Sequence, residues 1–411
     1  MGRVPCLSDI ETYLATYGRY FGRSEVRMLA ARYVQGLLTE GGRKSVEPMA
    51  QQLGVSARSL QRLLNRAVWD HHGVLQAYRE RMVDLFSGRE GVLVIGQTIF
   101  PKRGRHSVCV ARQYNDETGR MISSQTSAGS VYAVSGLAFP WAMDLYVPTF
   151  WARPRNEEFR HLRQKAGMPG RIRHQERWEL AISQVDLAVH HQLEISMVTA
   201  GAAIGRIAAF RDALDVRGLR YILEIPPETT FFTKRPVLRE YKPKKRGRGR
   251  PRKRHRILDA DTSPVTASGE AIWWGKATAD THAAGSGVSS DTSSRLQSAR
   301  VWPAEGYREG ILHEPVWLVR RPDVSRGASD GYRYYLGNHP SGIGSEDIAH
   351  ATAACRDALT CRDAMIHNLG LLHHEGRTWT GWHRHVVLVF LALGFLLENK
   401  NPYSRNRLTP P

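Results

Sequence analysis

The segment VLVIGQTIFPKRGRHSVCVARQY, Val92–Tyr114, marks the point where the sequence changes from a helical to a β-rich pattern. Its first half is an apolar run that ends at a small polar turn, which is typical of a buried strand. Further short apolar or alternating runs are separated by glycine-containing turns. They are HSVCVARQY (His106–Tyr114), GRMISSQTSAGSVYAV (Gly119–Val134) and AMDLYVP (Ala142–Pro148). We therefore expect a meander of antiparallel strands from residue 92 onward.

Helices alternate with strands after this meander. The pattern predicts a helix over Arg177–His190 that leads into the strand SMVTAG, and a helix over Arg206–Val216 that leads into the strand LRYILEIP. A meander followed by helix, strand, helix, strand indicates a mixed α/β sheet. The remaining predicted elements are two strands, PVWLVRR and GYRYYLGNHP, and two helices, Glu346–His367 and His383–Glu398.

The first 90 residues have a helical pattern instead. Glu25–Leu38 carries apolar residues at three- and four-residue intervals, which makes one apolar face. Ser45–Asp70 has helix-turn-helix spacing, with Gly54 at the tight turn and Ser56 as a cap for the second helix. That helix would present arginines for phosphates and amides for base edges, although an ordinary helical packing unit has the same spacing. The predicted DNA contacts are Arg58, Gln61, Arg62, Asn65 and Arg66.

The charge of the chain favours a polyanionic partner. The net charge is +19 over 411 residues, and +12 of it lies between Lys234 and Arg256. Within that segment Arg248, Arg250 and Arg252 form R-G-R-P-R, in which glycine and proline keep the chain thin enough for arginines to enter the narrow minor groove of A·T-rich DNA. A solvated basic linker that binds any polyanion is the alternative. A Ser- and Gly-rich stretch with one WW anchor, Trp273 and Trp274, follows as a predicted linker.

Other classes of protein are disfavoured by composition. The four cysteines have neither a metal-ligand spacing nor a disulfide framework, and adjacent histidines on a helix point about 100° apart, so we expect no metal site. The longest apolar run, Val386–Leu397, has 12 residues, which predicts a buried helix and not a membrane span. No secretory signal is seen, so the expected location is the cytoplasm, at the nucleoid of a prokaryote, without a membrane partner.

Three stretches together resemble the DDE-type insertion-sequence transposases, most closely the insertion-sequence-701 family. They are LQRLLNRAVWD (Leu60–Asp70), FPKRGRHSVCVARQY (Phe100–Tyr114) and RTWTGWHRHVVLVFLALGFL (Arg377–Leu396). Weaker matches are LYVPTFWA, KAGMP, GLRYILEIP and YYLGNHP, in the same order and over most of the chain. The resemblance adds Lys102, Arg377, Trp379 and Arg384 to the expected DNA contacts.

The resemblance implies a mixed α/β fold, in which a helical helix-turn-helix-like domain precedes an RNase H-like domain with a basic, flexible insertion. The domain boundaries that it implies are 1–90 for the helical domain, 91–233 and 301–400 for the two parts of the RNase H-like domain, 234–300 for the basic arm and linker, and 401–411 for a tail. Enzymes of this family hold two divalent metals between two aspartates at strand ends and a glutamate on a helix. Partners implied are double-stranded DNA, terminal inverted repeats among it, and a second copy of the chain.

All three acidic positions are replaced when the family motifs are carried over. A V-I-D-D-T-G-F-like turn falls on residues 94–100 and puts Gly96 and Gln97 at the two aspartates. A V-A-D-S-A-Y-G-like turn puts Gly201 at the second site, and a W-x-I-E-x-x-F-x-x-x-K helix puts Leu359 at the glutamate. Glycine, glutamine and leucine supply no anionic oxygen to a hard cation. We therefore expect an inactive, transposase-derived DNA-binding protein that needs no cofactor.

Two alternatives remain open at the level of sequence. One is an active transposase that uses Mg²⁺ or Mn²⁺ with displaced acids such as Asp144, Asp357 or Asp363, or with a partner that completes the site. The other is a copy that decays neutrally. The same glycine and leucine substitutions fit recruitment and decay equally.

Overall fold

The computed structural model describes residues 6–115, 119–239, 256–257, 263–273, 296–323 and 330–400. The chain divides into two compact units, here unit 1 (Met1–Glu194 with Cys355–Pro411) and unit 2 (Ile195–Ala354). The predicted minor-groove residues Arg248, Arg250 and Arg252 lie outside the described residues, as does Trp274.

Unit 1 begins with six helices, as the sequence pattern predicts. They are α1 (Leu7–Ala15), α2 (Gly18–Phe21), α3 (Ser24–Leu38), α4 (Val46–Leu53), α5 (Ala57–Asn65) and α6 (His71–Leu85). The turn between α4 and α5 depends on Gly54, whose φ of 65° is left-handed and whose successor Val55 donates its N–H to the Ala50 carbonyl at 3.0 Å. Ser56 stands at the start of α5 without a side-chain cap hydrogen bond. Two short helices joined by a glycine turn are therefore present where the helix-turn-helix spacing predicts them.

The strand meander of unit 1 is built around one long central strand. Its members are β1 (Gly91–Pro101), β2 (Ala111–Asn115), β3 (Arg120–Val134) and β4 (Leu137–Leu145). The central strand β3 pairs antiparallel with β1, β2 and β4. Helices α7 (Thr149–Ala152), α8 (Glu157–Lys165) and α9 (Arg177–His190) follow, and α9 has the predicted bounds.

One predicted strand is shorter than expected. Of His106–Tyr114 only the last four residues are strand, because Cys109 turns the backbone with a φ of 59°. Val108 and Val110 are nevertheless buried, and their carbonyls accept hydrogen bonds from the Gln125 side chain at 2.7 Å and the Trp151 indole at 3.0 Å. Side-chain donors thus replace the ladder that the apolar pattern predicted.

The long apolar helix α14 (Trp379–Lys400) completes unit 1 and packs against α3, α5 and α6. By length and composition the stretch Trp379–Asn399 is apolar enough to cross a membrane, but 83% of its most apolar window is buried inside the protein. Val386–Leu397 is therefore a core helix, and this prediction is confirmed.

The strands of unit 2 run in a mixed sheet in the order β10, β7, β11, β12, β13, β6, β5. In chain order these strands are β5 (Ile195–Ala200), β6 (Tyr221–Ile225), β7 (Thr230–Phe232), β10 (Val265–Thr266), β11 (Gln297–Pro303), β12 (Val316–Pro322) and β13 (Tyr332–Gly337). Only the β5–β6 pair is parallel among the described pairs of this sheet. A separate pair joins β8 (Leu238–Arg239) to β9 (Arg256–Ile257). The predicted mixed α/β class is confirmed.

The helices α10 (Ala202–Gly205), α11 (Ala208–Val216), α12 (Glu270–Trp273) and α13 (Ser345–Asp363) follow β5 along the chain. Trp273 is buried in the core of unit 2, its indole N–H donates to the Ala267 carbonyl at 2.8 Å, and Arg320 lies 4.6 Å above its ring. Residues 263–273 and 297–300 of the predicted insertion are therefore built into this sheet and its core, because Trp273 and its neighbours bury apolar surface there.

Candidate functional site

Gly96 lies in β1 at the first position where the resemblance expects an acid. The predicted turn at Gly96 and Gln97 is wrong, because β1 stays paired with β3 as far as Pro101. It pairs with Gly129 on β3, and a Cβ at Gly96 would meet no atom within 4 Å. Its φ lies outside the left-handed region, so the backbone does not require glycine. The site has room for a side chain that the sequence does not supply.

Gln97 faces the other side of β1 and is bound by a cation. Its side-chain oxygen accepts a hydrogen bond from the Arg177 guanidinium at 3.2 Å, and the same guanidinium donates to the Gln113 side-chain oxygen at 3.0 Å. The guanidinium also lies 5.2 Å from the centre of the Tyr146 ring. Burial raises the pKa of Tyr146, and the nearby Glu176 carboxylate raises it further. A fixed positive charge therefore lies beside residue 97, where the first family motif has its second aspartate. This charge repels a divalent cation.

Asp144, one of the displaced acids considered above, lies on the same face of the sheet as Gln97. Gln97 is paired with Ala128, and Ala128 with Asp144, so these residues form a row across three strands. Two strand spacings separate the ends of the row by roughly 10 Å. The Asp144 carboxylate accepts a hydrogen bond from the Gln184 side chain of α9 at 2.7 Å.

Gly201, at the aspartate position of the second family motif, follows β5 directly and precedes α10. Its φ of −72° and ψ of 169° suit any residue, and a Cβ there would meet nothing within 4 Å. The predicted strand end is confirmed. Like Gly96, this position has free space for a side chain.

Leu359, at the position of the glutamate, lies in α13 with 49% of its surface exposed. Asp363 follows one turn later on the same helix face, about 6 Å away, and lies 3.6 Å from the Arg362 guanidinium. Asp357 lies roughly 200° around the helix from Leu359. Within the described ranges, no group of three His, Cys, Asp or Glu residues is placed to hold a metal ion.

The predicted recognition helix α5 has the amphipathic character that DNA contact requires. Leu60, Leu63 and Leu64 are buried. The five predicted contacts, Arg58, Gln61, Arg62, Asn65 and Arg66, are all exposed. Asn65 is tied down, because its side-chain oxygen accepts from the Thr378 hydroxyl at 2.6 Å and its amide donates to the Gln61 carbonyl at 3.0 Å. The three arginines and Gln61 thus form the outward face of α5, here called the α5 face.

Two of the cations that the resemblance adds are held inside unit 1. The buried Arg384 guanidinium donates to the carbonyls of Leu63, Leu64 and Trp69 at 3.1, 3.3 and 3.2 Å, so it caps the end of α5. Burial lowers the pKa of Arg384 to about 10. Lys102 donates to the His374 carbonyl at 2.6 Å, and burial lowers the pKa of its ammonium to about 8. These geometries give both side chains a structural role.

Arg377 and Trp379 lie next to the start of α14. Arg377 is exposed, whereas Trp379 is half-buried and contacts the His383 ring, with 4.3 Å between ring centres and 40° between the ring planes. The Trp379 backbone N–H donates to the Ala166 carbonyl at 2.8 Å. Arg377 therefore stays available at the surface.

Sequence reasoning missed the contact between Arg177 and Gln97. The two residues are separated by 80 positions, and an arginine at the first turn of a helix carries no special signal in a sequence. Only the packing of α9 on β3 brings them together.

Comparison with models of known protein families gives a match. A family model described as DDE superfamily endonuclease matches residues 16–288, which is about two thirds of the chain. No curated protein matches the sequence.

Proposed function

We propose that this chain, which belongs to the DDE superfamily endonucleases, is a transposase-derived protein that binds double-stranded DNA and no longer cleaves it. The family implies DNA as the partner and an RNase H-like α/β nuclease fold, with which the architecture agrees. Within that family we propose a relationship to the insertion-sequence-701 transposases, a cytoplasmic location at the nucleoid, and a homodimer that binds terminal inverted repeats.

The proposal depends on one observation, the replacement of all three expected acids. Gly96 and Gly201 leave open space where a carboxylate would stand, and Leu359 presents an apolar surface to solvent. Two-metal hydrolysis needs anionic oxygens that hold both ions, since the ions carry the charge of the transition state. Without them we expect the rate to fall by many orders of magnitude.

Arg177 adds an electrostatic argument. In an active site of this family the stretch that corresponds to residues 96 and 97 would be anionic before the metal binds. Here a guanidinium already occupies the space beside Gln97 and is bound by the Gln97 and Gln113 side-chain oxygens. The cation beside this part of β1 is therefore a side chain of the protein itself.

DNA binding is proposed to use the α5 face. Arg58, Arg62 and Arg66 can each neutralise a phosphate, and Gln61 can pair with a base edge. The exposed Arg377 extends this surface, because its neighbour Thr378 is hydrogen-bonded to Asn65 of α5. The R-G-R-P-R arm would add contacts in an A·T-rich minor groove.

Active cleavage is the second candidate, and Asp363 is the observation that favours it. It lies on the same face of α13 as Leu359, so a shift of one turn would present a carboxylate in place of the leucine. It would still need two further acids, such as Asp144, or a partner chain. Neutral decay, the third hypothesis, predicts no sequence-specific binding at all.

The test is a gel assay of the purified full-length protein on labelled duplexes that carry the repeats flanking its own gene, with Mn²⁺ present. The proposal predicts a repeat-specific shift without cleaved bands. Cleavage at the repeat boundary that is lost in Asp363→Asn would establish the active enzyme. Equal affinity for the repeats and for random duplexes would indicate decay.

A further inference from the structure

A pocket of about 270 Å³ lies in unit 1 beside the start of α14. Its lining residues are His106, Leu162, Lys165, Ala166, Arg377 and Thr378. This volume is near the lower limit of typical small-molecule sites, about 300 Å³, so it suits a ligand with a single ring system.

The walls of the pocket come from three segments that backbone hydrogen bonds hold together. The Val108 N–H donates to the Arg377 carbonyl at 3.1 Å, and the Trp379 N–H donates to the Ala166 carbonyl at 2.8 Å. Arg163 fixes the end of α8, since its guanidinium donates to the carbonyls of Trp151, Ala152, Pro169 and Ile172 at 2.7 to 3.1 Å. The pocket is therefore preformed, and little ordering entropy is lost when a ligand binds.

Its chemistry has two parts. Leu162 and Ala166 are 7% and 3% exposed and give an apolar wall. The basic side chains of His106, Lys165 and Arg377 are exposed around it. Within the part of the chain that the structure describes, none of the three forms an ion pair. The charges of Lys165 and Arg377 are thus available to an anionic group, while the apolar wall accepts a ring.

The position of the pocket links it to the α5 face. Thr378 in its wall donates its hydroxyl to Asn65 at the end of α5, with 2.6 Å between the oxygen atoms. A strand whose phosphates contact Arg62 and Arg66 therefore passes within reach of Arg377.

We infer that this pocket holds one unpaired nucleotide of the bound DNA, with the base against Leu162 and Ala166 and its phosphate among Lys165, Arg377 and His106. The inference rests on the proposed DNA-binding function. A fully paired duplex keeps its bases stacked inside, so only an extrahelical or single-stranded nucleotide can enter.

The experiment measures fluorescence anisotropy of the full-length protein with three duplexes of one sequence: fully paired, carrying one extra unpaired nucleotide, and carrying an abasic residue at that position. We expect the unpaired nucleotide to tighten binding about 10-fold over the paired duplex. Arg377→Gln should remove this preference, and Ala166→Leu, which fills the pocket without a change of charge, should also remove it. Arg160→Gln, an exposed arginine of α8 outside the pocket, is the matched control and should keep the preference.

Equal affinity for the paired and unpaired duplexes would overturn the inference while leaving DNA binding intact. A preference that the abasic duplex shares in full would mean that the pocket takes a phosphate and no base, which also overturns it. If no duplex binds, the proposed function fails, and equilibrium dialysis with a deoxynucleoside monophosphate, the nucleoside and inorganic phosphate decides the pocket separately. Binding of the monophosphate alone, lost in Arg377→Gln, would support a nucleotide site, and equal binding of inorganic phosphate would refute it.

Discussion

The guanidinium of Arg177 donates a hydrogen bond to the side-chain oxygen of Gln97 at 3.2 Å, at a strand position where the family resemblance predicts an aspartate. A carboxylate at residue 97 would form an ion pair with this arginine before it met a metal ion. Gly96, on the opposite face of β1, has open space instead, because no atom lies within 4 Å of the position that a Cβ would take there. Restoring an acid should therefore start from Gly96.

Restoration of the three acids is the first prediction. We expect the triple variant G96D, G201D and L359E to gain a thermal stabilisation by Mg²⁺ that the natural chain lacks, because the three carboxylates supply the anionic oxygens that hold the ion. A ligand at 100 times its Kd stabilises the folded state by about 2.7 kcal/mol, which differential scanning fluorimetry resolves easily.

The matched control for this variant is Gly170→Asp, since Gly170 also has free space around its Cβ position. It should leave the melting temperature independent of Mg²⁺. A Mg²⁺-dependent rise already present in the natural chain would mean that a metal site survives, and the proposed loss of catalysis would be wrong.

The second prediction concerns the α5 face. Arg62→Gln should weaken binding to all duplexes by a similar factor and reduce the slope of log K against log salt concentration by about 0.9, because one phosphate contact is lost. Gln61→Ala should instead change the ranking of DNA sequences. Titrations at several salt concentrations measure both effects, and Arg160→Gln serves as the charge-matched control. A slope unaltered by Arg62→Gln would remove α5 from the DNA interface.

Hydrophobic periodicity predicted α3, α9 and α14 well. Helices α3 and α9 each bury one apolar face, and most of α14 is buried. It failed at His106–Val110, where buried apolar residues have their carbonyls satisfied by Gln125 and Trp151. The candidate site was less predictable. The residue types at positions 96, 201 and 359 can be read from the sequence. The position of Arg177 beside Gln97 depends instead on how α9 packs.

Arg384 illustrates the same limit, because a cationic residue in a motif predicts DNA contact as readily as it predicts a helix cap.

The third prediction is that Arg384→Gln lowers the free energy of unfolding by about 2 to 4 kcal/mol, since the buried carbonyls of Leu63, Leu64 and Trp69 lose their donors. Urea unfolding measures this. Arg384→Lys should rescue only in part, because an ammonium cannot match the planar fork.

The exposed Arg377 provides the comparison for Arg384, and Arg377→Gln should change stability by less than about 0.5 kcal/mol. If Arg384→Gln leaves stability unchanged and abolishes DNA binding, the arginine belongs to the DNA interface and its role as a cap is wrong.

Buried histidines lead to the last prediction, which concerns pH. His374 and His385 are buried and stack with 5.0 Å between ring centres, and His385 also bonds the Tyr33 hydroxyl at 2.9 Å and the Leu371 carbonyl at 3.1 Å. Burial lowers the pKa of His385 to about 4, and burial with the neighbouring His385 and Lys102 lowers the pKa of His374 well below its ordinary value. The folded state therefore favours both rings in their neutral form.

Protons that bind these two histidines favour the unfolded chain, so the free energy of unfolding depends on pH. The unfolded chain binds protons on both rings below pH about 6.5, whereas the folded chain does not until its depressed pKa values are reached. Stability is thus fully present above pH 6.5 and falls as the pH drops toward 4, by up to about 1.4 kcal/mol per pH unit for each histidine. His374→Phe keeps a stacked ring without a titrating nitrogen, so urea unfolding between pH 7 and 4.5 should show a slope smaller by about that amount. Tyr33→Phe, which removes a hydrogen bond but no group that titrates in this range, should lower stability by a similar amount at every pH; an unaltered slope in His374→Phe would mean that His374 is not held neutral by the fold.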